Sequence, residues 1–139
     1  MRKELFWNDC IFNKSSLKTS PDVAKAKSLV ETAKGRIRFL QESKVEESNV
    51  NYIFEIYYSS VLEFLHALVL MKGYKVKNHI CLGYYFRDVL KRGDIFRFFN
   101  DCRTKRNDLI YNGRQMEFEV AKEAISRCKK LIRELSKLI

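Results

Sequence analysis

A chain of 139 residues with 46% hydrophobic content can bury its own core without metal or disulfides, and with one proline and five glycines it offers no linker at which to divide. Lys and Arg number 27 against 17 Asp and Glu, and this net charge of +10 favours polyanions, nucleic acid first and an acidic protein surface second. The richest apolar run, Val61 to Met71, is broken by Glu63 and His66, and Asp9 interrupts the basic N-terminus; neither a membrane span nor a secretory signal is predicted, and the expected location is cytoplasmic.

Residues 1–18 carry Leu5, Phe6, Trp7, Ile11 and Phe12, which either dock as a short helix or serve a partner; the helical domain is expected over 19–139. The first long helix is predicted from "TSPDVAKAKSLVETAKGRIRFLQES", with Thr19 or Ser20 as N-cap and Pro21 in the first turn. Its apolar residues Val23, Ala26, Val30, Ala33, Ile37 and Leu40 recur three or four apart. A second helix runs from Asn51 to Lys72. Phe54, Tyr58, Val61, Leu65, Leu68 and Val69 share one face, which Ile53, Tyr57, Phe64 and Met71 widen, as in a central bundle helix or at a subunit interface.

Gly73 ends that helix, and "YKVK" reads as a loop leading to Asn78, the expected N-cap of a shorter third helix, "HICLGYYFRDVLKR", stopped by Gly93. Asp94 is expected to cap a fourth helix that reaches Asn112 and is closed by Gly113. The fifth, "MEFEVAKEAISRCKKLIRELSKLI", has Phe118, Ala121, Ile125, Cys128, Ile132 and Leu135 at core spacing. No strand is predicted. Short connections between long helices make antiparallel neighbours, so the expected fold is all-α, an up-and-down four-helix bundle with an additional short helix packed across it.

Cys10, Cys81, Cys102 and Cys128 are far apart and form no CxxC pair, which argues against a zinc or redox site. Cys81, Cys102 and Cys128 fall at apolar helical positions and read as reduced core thiols. No metal and no cofactor are predicted.

The fourth helix breaks the pattern. After Ile95, Phe98, Phe99 and Cys102, the next core position belongs to Arg106, before Leu109 and Ile110 restore the apolar row. Beside it runs a polar edge of Asn100, Arg103, Asn107 and Tyr111, spaced three or four apart. A buried, unpaired arginine costs several kcal/mol, so either a carboxylate answers Arg106, with Glu55 and Glu63 of the second helix as candidates, or it lines a cleft open to water and ligand. In the second case its planar donor fork suits phosphate, with Arg103, Asn107 and Asn100 as further binding residues.

"RNDLIYNG", in the fourth helix of an all-helical chain, resembles the R-N-x-x-x-H motif of the HEPN family (higher eukaryotes and prokaryotes nucleotide-binding). "LEFLHALVLMKGYKVKNHICLGYYF" is similar to that family's passage from second to third helix, where an Ala-Leu-rich helix ends at Gly, a basic loop follows and a His opens the next helix. The resemblance covers most of the chain from about Pro21 onward. It implies a homodimer with the motif helices facing across a cleft, metal-independent endoribonuclease activity on RNA, and a toxin–antitoxin pairing with a minimal nucleotidyltransferase. Arg106 would hold the scissile phosphate, Asn107 would orient neighbouring groups, and the third catalytic position falls on Tyr111.

Tyr111 stands where the family has histidine. Histidine side chains titrate near ~6.5 and both accept and give protons at neutral pH; phenols titrate near ~10 and are poor bases. The alternative is therefore a catalytically inactive HEPN module that engages nucleotide, RNA or a partner protein without cleavage. His66 reads as a core or surface histidine and His79 as a loop-ordering residue.

Overall fold

A computed structural model describes residues 4–139, which are mostly helical. The described elements are α1 (Trp7–Phe12), β1 (Ser16–Lys18), α2 (Val23–Gln41), α3 (Val50–Met71), β2 (Tyr74–Val76), α4 (His79–Tyr84) running into a π-helical turn (Tyr85–Val89), α5 (Gly93–Asn112) and α6 (Phe118–Ser136). The five predicted helices correspond to α2 through α6, and Ala26, Val30, Ala33 and Leu40 of α2 are buried as their spacing requires. Asp22 rather than Thr19 or Ser20 caps α2, its carboxylate accepting from the Lys25 N–H at 3.0 Å.

α3 is the central helix. It packs against α2 on one side and α6 on the other, which accounts for the width of its apolar face from within the chain. Phe54, Tyr58, Val61, Phe64 and Leu65 are at most 2% exposed, and full burial of each such apolar side chain stabilises the fold by about 1.5–3 kcal/mol. By length and composition α3 is also apolar enough to cross a membrane, but 67% of its most apolar stretch is buried against its own chain.

The structure corrects the expectation of a strandless chain. β1 and β2 pair antiparallel with Ser16 opposite Val76, Leu17 opposite Lys75 and Lys18 opposite Tyr74, so "YKVK" is strand and turn rather than loop. Strands of three residues are too short for a period-two pattern to register. The N-terminal segment docks through this ribbon and through buried Trp7, whose N–H donates to Asp88 at 2.8 Å, while Phe6 and Phe12 remain exposed. Cys81 is a second correction. It is buried as expected but is disulfide-bonded to Cys10, with Cα atoms 6.1 Å apart, whereas Cys102 and Cys128 are buried free thiols. The third predicted helix is also shorter than expected, because the chain leaves helical geometry at Lys91 (φ 58°) and Gly93 already belongs to α5. Asp94 lies in the first turn of α5 and accepts from Arg92 instead of capping.

Gly73 makes the reversal from α3 into β2. Its φ is +86°, and a Cβ there would lie 2.8 Å from the Thr19 carbonyl oxygen, in the stretch where the Thr19 N–H donates to Gly73 O at 2.7 Å. Gly113 closes α5 as predicted with φ +64°, but a Cβ there meets nothing. Gly73→Ala is accordingly expected to cost about 2–3 kcal/mol, combining left-handed strain with the backbone clash, and Gly113→Ala only about 1 kcal/mol. Urea midpoints of the two variants check the difference, and equal losses would remove the clash from the account.

Candidate nucleic-acid interface

Asn78 is in extended conformation and its side chain accepts from the Cys81 N–H at 2.9 Å, so it caps α4 as predicted and sets His79 at the first turn. That turn lies beside the polar edge of α5. Lys77, Asn78, His79 and Ile80 from one side and Arg103, Arg106, Asn107 and Tyr111 from the other line an open groove of about 390 Å³. Arg106, Asn107 and Tyr111 are thus brought together as expected, although Tyr111 is 74% exposed and stands at the rim. Asn100 does not line the groove. Its amide oxygen accepts from Arg103 Nε at 3.2 Å and Nη2 at 3.0 Å, which fixes the guanidinium that does.

Neither proposed carboxylate answers Arg106. Glu63 accepts from Arg36 at 2.8 Å, and among the described residues Glu55 forms no ion pair. Arg106 instead lies over the Tyr58 ring, 5.8 Å from its centroid, and that ring stacks on Phe99 at 6.1 Å. A cation over an aromatic face keeps its N–H groups in the ring's surroundings free for a ligand, at a stabilisation of about 0.5–1 kcal/mol. Elsewhere in the chain Arg87 pairs with Asp88, Arg92 with Asp94 and Glu134, and Lys105 with Asp101, whereas the groove cations Lys77, Arg103 and Arg106 form no ion pair among the described residues.

His79 is the groove residue that sequence reasoning set aside. Its Nδ1 lies 3.2 Å from the Tyr58 hydroxyl, and Tyr58 is only 1% exposed with no other side-chain hydrogen-bond partner among the described residues. Burial pushes the Tyr58 phenol well above its usual range, so it keeps its proton. A buried O–H needs an acceptor; Tyr58 therefore donates to Nδ1, and the neutral imidazole carries its hydrogen on Nε2. Burial first, then the Arg106 and Arg103 charges, lower the His79 pKa and favour this neutral form. The signal in the sequence was the run "KVKNH", a basic segment meeting an Asn cap, but only the packing of α4 on α5 identifies what it faces. His66 lies elsewhere, in a smaller groove with Lys25 and Tyr74, and its pKa is lowered by burial, His79 and Lys25.

Chemically, every polar residue lining the groove can donate a hydrogen bond and none is acidic, which suits an anion with several oxygens. No group of three or more His, Cys, Asp or Glu side chains able to hold a metal occurs among the described residues. No family model, curated protein or solved structure matches this chain.

Proposed function

We propose that this is a HEPN-type protein that binds RNA or a nucleotide through phosphate at the Arg106 groove, with α2, α3, α5 and α6 as an up-and-down four-helix bundle. The observation that carries the reading is Arg106 held over Tyr58 with no carboxylate partner among the described residues, in a groove whose polar side chains can all donate and none of which is acidic. The Arg106-Asn107 dipeptide in this helix and the histidine opening α4 support the family resemblance. With that resemblance come homodimerisation, a nucleotidyltransferase-type antitoxin partner and a cytoplasmic site of action as parts of the same proposal.

Binding without cleavage is the reading favoured. Attack by a ribose 2′-hydroxyl needs a group that takes its proton; Tyr111 is a phenol at the rim, and His79 has Nδ1 engaged by the Tyr58 hydroxyl, the arrangement that leaves its hydrogen on Nε2 when Tyr58 donates. The test is incubation of end-labelled RNA with the purified protein in EDTA beside Arg106→Ala from the same preparation. The expected result is retention of RNA by the parent alone and cleavage by neither. Cleavage to 2′,3′-cyclic phosphate ends, lost in Arg106→Ala, would establish a ribonuclease in its place.

Tyr111→His supplies a group that exchanges protons near neutral pH. It is expected to bring cleavage at least about 100-fold above the detection background that the parent sets, the lower end of what a positioned acid/base contributes. No gain on any RNA would count against a reactive geometry at this position.

A further inference from the structure

His79 has a bound side and an open side. Nδ1 is taken by Tyr58, which α3 buries beneath it, and the ring belongs to the groove lining beside Arg103 and Arg106. Nε2 is therefore the nitrogen left for a ligand, and in the neutral ring that accepts from Tyr58 it carries the hydrogen. The titratable and charged groups around the ring are Tyr58 of α3, Arg103, Arg106 and Tyr111 of α5, and Lys77 ahead of α4; His66 of α3 lies outside this groove and is itself influenced by His79. Among the described residues no acid lines the groove, so none of these neighbours favours imidazolium. A phosphodiester seated between Arg103 and Arg106 reverses that field, because its fixed negative charge offsets both arginines and lies next to the ring.

Resting on the phosphate-binding reading above, we propose that His79 is a phosphate-contacting residue that donates Nε2–H to a phosphodiester oxygen of single-stranded RNA and takes up a proton at Nδ1 when the RNA binds. On protonation Nδ1–H becomes the donor and the Tyr58 oxygen accepts it; the Tyr58 O–H then gives up its acceptor, a cost that the bound phosphate charge must offset. The sign follows from linkage. A site that gains a proton on binding holds ligand more tightly as pH falls, from above the bound-state pKa of His79 down to its lowered free-state pKa, and is flat outside that window.

The probe is a short fluorescent oligouridylate at constant salt, since neither its phosphodiesters nor uracil changes charge between pH 5.5 and 8. Of the residue types in the groove, only histidine ordinarily titrates in that range. Parent protein is expected to bind about 10-fold more tightly at pH 5.5 than at pH 8, the change that one unit of pKa shift produces. Calorimetry near pH 6.5 in buffers of different ionisation enthalpy is expected to show net proton uptake. His79→Gln, which keeps a donor, should still bind at pH 8 but lose the pH dependence; His66→Gln should keep it. Tyr58→Phe frees Nδ1 and should move the window to higher pH.

Binding by the parent that is flat with pH, or a slope retained in His79→Gln, overturns the inference and leaves the phosphate site standing. No binding at any pH overturns both. Uridine monophosphate serves as the second arm: tight binding of it together with weak binding of the oligomer would assign the site to a free nucleotide and overturn the RNA assignment.

Discussion

Arg106→Ala is expected to weaken binding of short single-stranded RNA by about 10- to 100-fold, the range that follows from losing a charge-assisted hydrogen bond worth roughly 1.5–3 kcal/mol. Helical circular dichroism should remain unchanged. The two halves of this expectation come from one feature. An arginine held by a buried glutamate would, when removed, leave an unpaired charge and cost about 3–5 kcal/mol of stability. Arg106 has no such partner among the described residues: Glu63 is answered by Arg36, and what Arg106 covers is the Tyr58 ring. Its loss forfeits the cation–ring attraction, about 0.5–1 kcal/mol, and strands no charge.

The same variant should also raise the His79 pKa, because after burial the Arg106 charge does most to hold it down. A proton NMR titration of the His79 ring reads this directly and does not depend on RNA. If the fold collapses on substitution, or if His79 titrates unchanged, the arginine is structural or lies elsewhere than the groove geometry has it. Raising salt gives an independent reading, since affinity carried by phosphate contacts on a single strand falls with a log–log slope of about −0.7 per contact.

What could be read from the sequence divides along a physical line. α2 through α6 were legible because each buries a stripe, and burial recurs every 3.6 residues whatever the partner is. Asn78 and Gly113 were legible because capping chemistry is local. In α5, Arg106 announced itself by interrupting the apolar row, and the edge of Arg103, Asn107 and Tyr111 followed from helical spacing alone. What faces that edge was not legible. His79 is 27 residues from Arg106 in sequence and reaches the groove through the packing of α4 on α5, which periodicity does not encode. The β1–β2 ribbon and the Cys10–Cys81 bond were hidden for the same reason, each joining residues nearly 60 or more positions apart. Hidden long-range contacts thus include half of the candidate site.

Breaking the Cys10–Cys81 bond is expected to have the largest effect on stability. The bond closes a loop with a sequence separation of 71, and the chain-entropy relation for such a loop gives about 4 kcal/mol, a large part of the stability of a domain this size. Urea unfolding of the oxidised protein with and without reductant, and of Cys10→Ser, measures it. Thiol counting under denaturing conditions without reductant should find two reactive cysteines, Cys102 and Cys128. Four would mean the bond is open in the purified protein. A loss below about 1 kcal/mol would show that the Trp7 contact with Asp88 and the β1–β2 ribbon hold the segment unaided. The location of the loss matters for the groove. Cys81 lies two residues beyond His79, and the Asn78 side chain that caps α4 accepts from the Cys81 N–H itself. Releasing Cys10 should therefore raise hydrogen exchange first in α1, β1 and the opening turn of α4, leaving α3 and α6 protected. Reducing compartments keep such bonds open. A chain that acts there would rely on the ribbon and Trp7 to hold α4, and RNA affinity measured with and without reductant tells how far the groove depends on the staple.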